Sequence, residues 1–100
     1  MSDIQFLEQL EALIRQRLED APQESYTAKL AARGVAAVAQ KVGEEAVELA
    51  LAAVTEADRN VIDESADLIY HMLVLLAVRN ISLADAVATL EQRHDAREAK

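Results

Sequence analysis

The stretch from Ser65 to Val78 constrains the fold more than any other part of the chain. Across it only Asp67 and His71 carry an acid or an imidazole, while Leu68, Ile69, Met72, Leu73, Val74, Leu75, Leu76 and Val78 surround a helical axis on almost every side. Such a helix belongs in the middle of a bundle, because a surface helix is apolar along one stripe only. The rest of the chain suits helical neighbours: it has 20 Ala against 2 Gly, 1 Pro and 3 aromatic residues, without the β-branched and aromatic density that sheets need. The expected fold is all-α, a bundle of four to five helices. One hundred residues is the length of a single domain, taken here as residues 1–100.

The punctuation is that of helices. Ser2 and Gln5 are spaced as a capping box, and Leu7, Leu10, Ile14 and Leu18 follow on one face of a helix that should end near Asp20, before Pro22. Ser25 is placed to cap a short segment, Tyr26 to Arg33, closed by Gly34. A third helix is expected over Val35–Val54, with Val35, Val38, Val42, Ala46, Leu49 and Ala53 inward and Gly43 either tolerated or needed for a close approach. After a polar break at Thr55–Asn60, a fourth helix is expected from Val61 to about Arg79. Ser82 and Asp85 then form a capping box for a fifth, which carries Leu83, Val87 and Leu90 inward and frays over the charged end Glu91–Lys100.

Charge and composition exclude several functions. A formal net charge of -8 opposes attraction to nucleic acid or to an anionic membrane, so an anionic ligand would need bridging cations. With no Cys there is neither a disulfide framework nor a thiolate zinc site. The N-terminus has no leader pattern, and the longest ion-poor run is too short to span a bilayer. A cytoplasmic protein is expected.

The acidic residues carry the functional signal. On the third helix Lys41, Glu44, Glu45 and Glu48 share a side opposite the Val42, Ala46, Leu49 stripe, which taken alone is an ordinary solvated face. On the fourth, Glu64, Asp67 and His71 lie at i, i+3 and i+7, a stripe that continues into Val74, Leu75 and Val78. Its carboxylates therefore point where the core points, and a buried carboxylate must be protonated, paired or bound to a metal. Antiparallel packing of the two helices converges Glu44, Glu45, Glu48, Glu64 and Asp67 in one cleft. An oxygen-only site of this kind favours Mg²⁺, with Mn²⁺ as a substitute. His71 reads first as a hydrogen-bonded neighbour or core residue rather than a ligand.

Glu45-x-x-Glu48 followed after 15 residues by Glu64-x-x-Asp67 resembles the ExxE…ExxD signature of the all-α, MazG-like nucleoside triphosphate pyrophosphohydrolases. Ser25-Tyr26-Thr27-Ala28-Lys29-Leu30, Lys41-Val42-Gly43-Glu44-Glu45-Ala46 and Ala66-Asp67-Leu68-Ile69-Tyr70-His71 resemble the phosphoribosyl-ATP pyrophosphatase family more closely, over about Ser25 to Leu90. That resemblance implies Mg²⁺-dependent hydrolysis of phosphoribosyl-ATP to phosphoribosyl-AMP and pyrophosphate, the second step of histidine biosynthesis, by a homodimer or higher homo-oligomer. Some relatives fuse this domain to the cyclohydrolase of the next step, and the length here resembles the stand-alone form. The resemblance implies Glu45, Glu48, Glu64 and Asp67 as metal ligands, with Glu44 as a further ligand or the catalytic base that orients water. Lys41, Lys29, Arg33 and Tyr26 are the substrate-binding candidates: Lys41 for a phosphate or for an i, i+4 pair with Glu45, Lys29 and Arg33 for phosphates, Tyr26 for a base or for the core. Asn80 stands where the family is expected to have Gly between the last two helices.

Two rival readings share these residues. A house-cleaning dNTP or NTP pyrophosphohydrolase would keep the same carboxylates and differ in the groups that read base and sugar. A non-enzymatic helical dimerisation module would leave the acids solvated, which their place within an apolar helix opposes. Self-association is expected on either reading, because so short a chain cannot surround the fourth helix; Ile69, Leu73 and Leu76 are the residues expected at the contact.

Overall fold

The computed structural model of the chain describes residues 3–98. Among these it has five α-helices and no strand: α1 (Phe6–Asp20), α2 (Tyr26–Ala32), α3 (Val35–Thr55), α4 (Asp58–Val78) and α5 (Leu83–Glu98). The bundle is all-α, as the Ala-rich, Gly-poor sequence requires. Its framework is the α3–α4 hairpin, the most extensive helix pairing in the molecule; α1 packs on the C-terminal half of α4, and α2 bridges α1 and α3. Ile14 of α1, Leu30 of α2, Val38 of α3 and Leu73, Val74 and Ala77 of α4 form the buried centre, flanked by Leu7, Leu10, Leu18, Tyr70, Leu75, Val78 and Leu83.

Local chemistry sets most of the boundaries. Ser2 lies outside the described residues; Gln5 N–H donates to Asp3 Oδ1 at 2.9 Å, so an acid serves the entry to α1. That helix stops at Ala21, held left-handed at φ +46° just before Pro22. Ser25 caps α2 as expected, its Oγ accepting from Ala28 N–H at 3.1 Å. Gly34 separates α2 from α3 at φ +97°, a conformation that a side chain would oppose. Asn80, at φ +57°, ends α4 where Gly was expected, and Ile81 N–H folds back to the Leu76 carbonyl at 2.8 Å. Ser82 and Asp85 make the predicted capping box, each side chain accepting from the other's backbone N–H at 3.2 Å.

Several expectations need correction. The polar break between α3 and α4 is only Glu56 and Ala57, because Asp58 sits favourably in the first turn of α4 and Arg59–Asp63 and Asn60–Glu56 bonds at 2.9 and 2.8 Å draw the polar residues into regular structure. Helix α5 runs at 107° to α4 and leaves the bundle, so Val87 and Leu90 (63% exposed) face outward and only Leu83 reaches the core. The charged stretch from Glu91 is regular helix to Glu98, with no buried residue along it. On α3, Val35, Ala46 and Ala53 are exposed rather than inward. Leu73, expected at a contact between chains, is 1% exposed because α1 already covers it through Ile14.

Candidate active site

The stripe by which α3 meets α4 is Val38, Val42, Glu45, Leu49 and Ala52. Its spacing of four, three, four and three residues is the 3.5-residue period of two helices packed side by side. Glu45 occupies the central position of this stripe and is only 4% exposed. It is a core position filled by a carboxylate, not part of a solvated face opposite the core. Glu48 lies one turn on at the edge of the hairpin, and Glu64 faces both from α4. Carboxylate oxygens of Glu45, Glu48 and Glu64 lie within 4.8 Å of one another.

This cluster is short of positive charge. Glu45 Oε1 pairs with Lys41 Nζ at 3.1 Å, whereas Glu45 Oε2 and Glu64 Oε2 are buried with no hydrogen-bond partner. Burial first, then the hydrogen-bonding reach of Glu48, then the charges of Glu48, Asp67 and Glu45 push the Glu64 pKa above the ordinary carboxylate value. The bond to Glu45, opposed in part by desolvation and helped by the charges of Glu45, Tyr26 and Glu44, raises that of Lys41, which stays protonated. Two orphaned buried oxygens in an all-carboxylate donor set fit a hard divalent cation. Asp67 and Glu44 stand outside the three-residue cluster and are both exposed, Asp67 one turn along α4 from Glu64 and Glu44 on the adjoining side of α3.

Beside the cluster, α2 and the first half of α3 enclose a cavity of about 410 Å³. Tyr26, Lys29, Arg33, Gln40, Lys41 and Glu44 supply its polar lining, with Leu30 and Ala37 beneath. The structure thus brings all four expected substrate-binding residues into one wall. Among the described residues Lys29 and Arg33 form no salt bridge, which leaves two cations facing the cavity of a strongly acidic chain. Lys41 joins both regions, since it lines the cavity while its ammonium holds Glu45. Glu44 reaches only Gln40, whose Nε2 donates to Glu44 Oε2 at 3.5 Å. Gly43 has open space where a Cβ would stand, so no close approach within the chain explains it.

Three further residues, Thr27, Tyr70 and Gln40, escaped sequence reasoning, whereas His71 is the buried, hydrogen-bonded residue the sequence suggested. His71 Nδ1 bonds the Asp67 carbonyl at 2.7 Å and Nε2 bonds the Tyr26 hydroxyl at 2.8 Å, so neither ring nitrogen faces the carboxylates unoccupied. The neighbouring pair, Thr27 and Tyr70, is hydrogen-bonded through both hydroxyls. These bonds link positions 43 and 45 residues apart, which no local spacing could reveal. Gln40 carries no motif at all.

A family model for phosphoribosyl-ATP pyrophosphohydrolase matches residues 7–94. The chain belongs to that family. It therefore falls within the all-α MazG-like superfamily that its ExxE…ExxD spacing resembles. Among curated relatives of this family, the phosphoribosyl-ATP pyrophosphatase of Pyrobaculum aerophilum is 52% identical over 89 residues, covering 89% of the chain and 95% of the relative. That of Metallosphaera sedula is 50% identical over 93 residues, covering 93% and 98%. The histidine biosynthesis bifunctional protein HisIE of Xylella fastidiosa strain Temecula1 is 58% identical over 90 residues, 90% of the chain but only 44% of that longer protein. The chain thus spans less than half the length of its bifunctional relatives and nearly all of the single-function ones.

Proposed function

We propose that the chain hydrolyses the α–β phosphoanhydride of phosphoribosyl-ATP, releasing pyrophosphate and phosphoribosyl-AMP in the second step of histidine biosynthesis, in the cytoplasm and as a homodimer or higher homo-oligomer. One observation carries this reading: a cation-lined cavity opens beside an uncompensated carboxylate cluster, and Lys41 touches both. A polyphosphate ester needs this pairing, since its anionic chain must be held at one end and its reacting phosphoryl group neutralised at the other. The family of the chain and the printed names of its relatives point the same way.

Glu45, Glu48 and Glu64 would hold Mg²⁺, or Mn²⁺ in its place, with Asp67 completing the set from the next turn of α4. When bound, the cation supplies charge neutralisation at phosphoryl oxygens and lowers the pKa of a coordinated water. The remaining work belongs to the chain's own side chains. Lys29 and Arg33 bind phosphates along α2, Lys41 fixes the Glu45 carboxylate while facing the anion, and Tyr26 offers a ring to the nucleoside. Glu44, exposed at the cavity edge, is placed to orient a water and accept its proton. Neither a nucleic acid nor a membrane is a partner in this reading; among the described residues no single helix is long and apolar enough to cross a bilayer.

Pyrophosphate release measured with Mg²⁺ on phosphoribosyl-ATP and on a panel of dNTPs tests the reading. The expected result is a kcat/KM for phosphoribosyl-ATP at least a hundredfold above that for any dNTP. Preference for a dNTP would transfer the chain to the house-cleaning class, and no release from any substrate would remove the enzymatic reading.

A further inference from the structure

Helix α2 has seven residues, too few to hold its shape or place without tertiary support. Yet it and its C-cap residue carry Tyr26, Lys29 and Arg33, half of the polar wall of the cavity. Buried Ala28 and Leu30 fasten it from below without fixing how the exposed side chains are aimed. Polar aim comes from two adjacent cross-links to α4, Tyr26 with His71 and Thr27 with Tyr70. Thr27 and His71 are both buried, so these bonds are sheltered from competing water.

The Tyr26–His71 link has a defined polarity. A carbonyl can only accept, so His71 Nδ1–H donates to the Asp67 carbonyl. In the neutral ring Nε2 is then an acceptor, and the Tyr26 O–H donates to it. The rings of Tyr26 and His71 meet edge to face, with centroids 5.7 Å apart and planes at 88°; Tyr70 packs on His71 similarly, at 5.4 Å and 82°. His71 is therefore locked at both nitrogens and along its ring. Tyr26 remains 51% exposed and lines the cavity. A half-exposed aromatic ring pinned by its hydroxyl is a preorganised stacking surface, whereas an unpinned one would sample several rotamers.

We propose that the Tyr26 ring is the nucleobase wall of the cavity and that His71 is the positioning residue that holds it there, so that the pair governs affinity for the purine and not for the phosphates. The proposal rests on a nucleotide occupying this cavity, and it assigns the base to the Tyr26 end and leaves the phosphates to Lys29, Arg33 and Lys41. The backbone anchor of His71 is the Asp67 carbonyl of the acidic turn, so the base wall and the carboxylate helix keep one register.

The chain has two tyrosines and no tryptophan, which makes intrinsic tyrosine emission a direct probe. AMP should change that emission on binding, pyrophosphate should not, and Tyr26→Phe should abolish the change. Equilibrium binding by calorimetry should show AMP weakened about threefold to tenfold in Tyr26→Phe and in His71→Leu, the span expected for one hydrogen bond. Pyrophosphate affinity should stay within twofold of the parent value. His71→Gln, whose amide can still accept from the Tyr26 hydroxyl, should recover most of the loss. The double variant Tyr26→Phe/His71→Leu should be no worse than the poorer single one, because both changes remove the same bond. Equal weakening of AMP and pyrophosphate, additive losses, or an emission change that survives in Tyr26→Phe would each overturn the assignment. Because AMP binding is read without turnover, a chain that binds AMP in this way yet fails to hydrolyse phosphoribosyl-ATP would refute the activity and leave the base wall standing.

Discussion

Glu64 shows at the level of one residue how the site stores its free energy. Its pKa is raised, so the folded chain without metal binds that proton more tightly than the unfolded chain does. The resulting stability is present below the ordinary carboxylate pKa and is lost as pH rises through the raised value. Without divalent cations, the melting temperature should therefore fall as pH rises above the ordinary carboxylate pKa and through the raised value of Glu64, and Glu64→Gln should fall by less. An equal fall in the variant would mean that the repulsion lies elsewhere. The same variant should lose at least about a hundredfold in pyrophosphate release, since it removes charge from the centre of the cation site while keeping its shape. Ala21 offers a second test unrelated to chemistry. It holds φ +46° without being glycine, so Ala21→Gly should stabilise the fold by about 1 kcal/mol in denaturant unfolding. The residue scale is also where sequence reading fell short. The carboxylate stripe on α4 is visible because its neighbours are all apolar, whereas α3 taken alone puts Glu45 on an ordinary solvated face, and only packing against α4 brings it into the cleft. A polar residue in a core stripe breaks the hydrophobic pattern that would reveal the stripe. Only the partner helix, by imposing a 3.5-residue period, identifies position 45 as internal.

At the scale of elements, capping chemistry made most boundaries readable: Ser25 before α2, Gly34 after it, Asn80 after α4, and the Ser82–Asp85 box each act within a few residues. What could not be read was the direction in which α5 leaves the bundle. That direction depends on α1, where the Glu11 carboxylate accepts from Leu83 N–H at 2.6 Å and Arg15 donates to the Ile81 carbonyl at 2.8 Å, contacts spanning 72 and 66 residues. Helix α5 is consequently tied down at its first turn and almost nowhere else, with no buried residue of its own. Hydrogen exchange should be fast from Val87 onward and slow in the middle of α3 and α4. Glu11→Ala should accelerate exchange at Leu83–Ala86 and cost about 1 kcal/mol locally, as for a lost helix cap, while leaving α3 and α4 unchanged. Slow exchange along the whole of α5 would contradict this picture and would mean that another surface covers it.

At the scale of the whole molecule, α3 and α4 leave several large apolar side chains exposed. Val47, Leu51 and Val54 on α3 and Ile62, Ile69 and Met72 on α4 are all at least 37% exposed, and Val54 reaches 84%. Self-association stays a proposal, and the residues proposed for it change. Leu73 belongs to the monomer core, so Leu73→Glu should unfold the chain, whereas Ile69→Glu should leave it helical and lower its mass in light scattering. A parent that is monomeric at micromolar concentration would refute the oligomer. The proposal at this scale is electrostatic: in a chain of net charge -8, a divalent cation would complete the partly buried cluster of Glu45, Glu48 and Glu64. A ligand that binds only the folded state stabilises it by roughly 2.7 kcal/mol at a hundred times its Kd, which for a domain of this length raises Tm by about 10 °C or more. Thermal melting with increasing Mg²⁺, at constant ionic strength and without nucleotide, tests this most directly. A saturable rise of that size in the parent chain, absent in Glu64→Gln, is the predicted result; superimposable melting curves for the parent with and without saturating Mg²⁺ would contradict it.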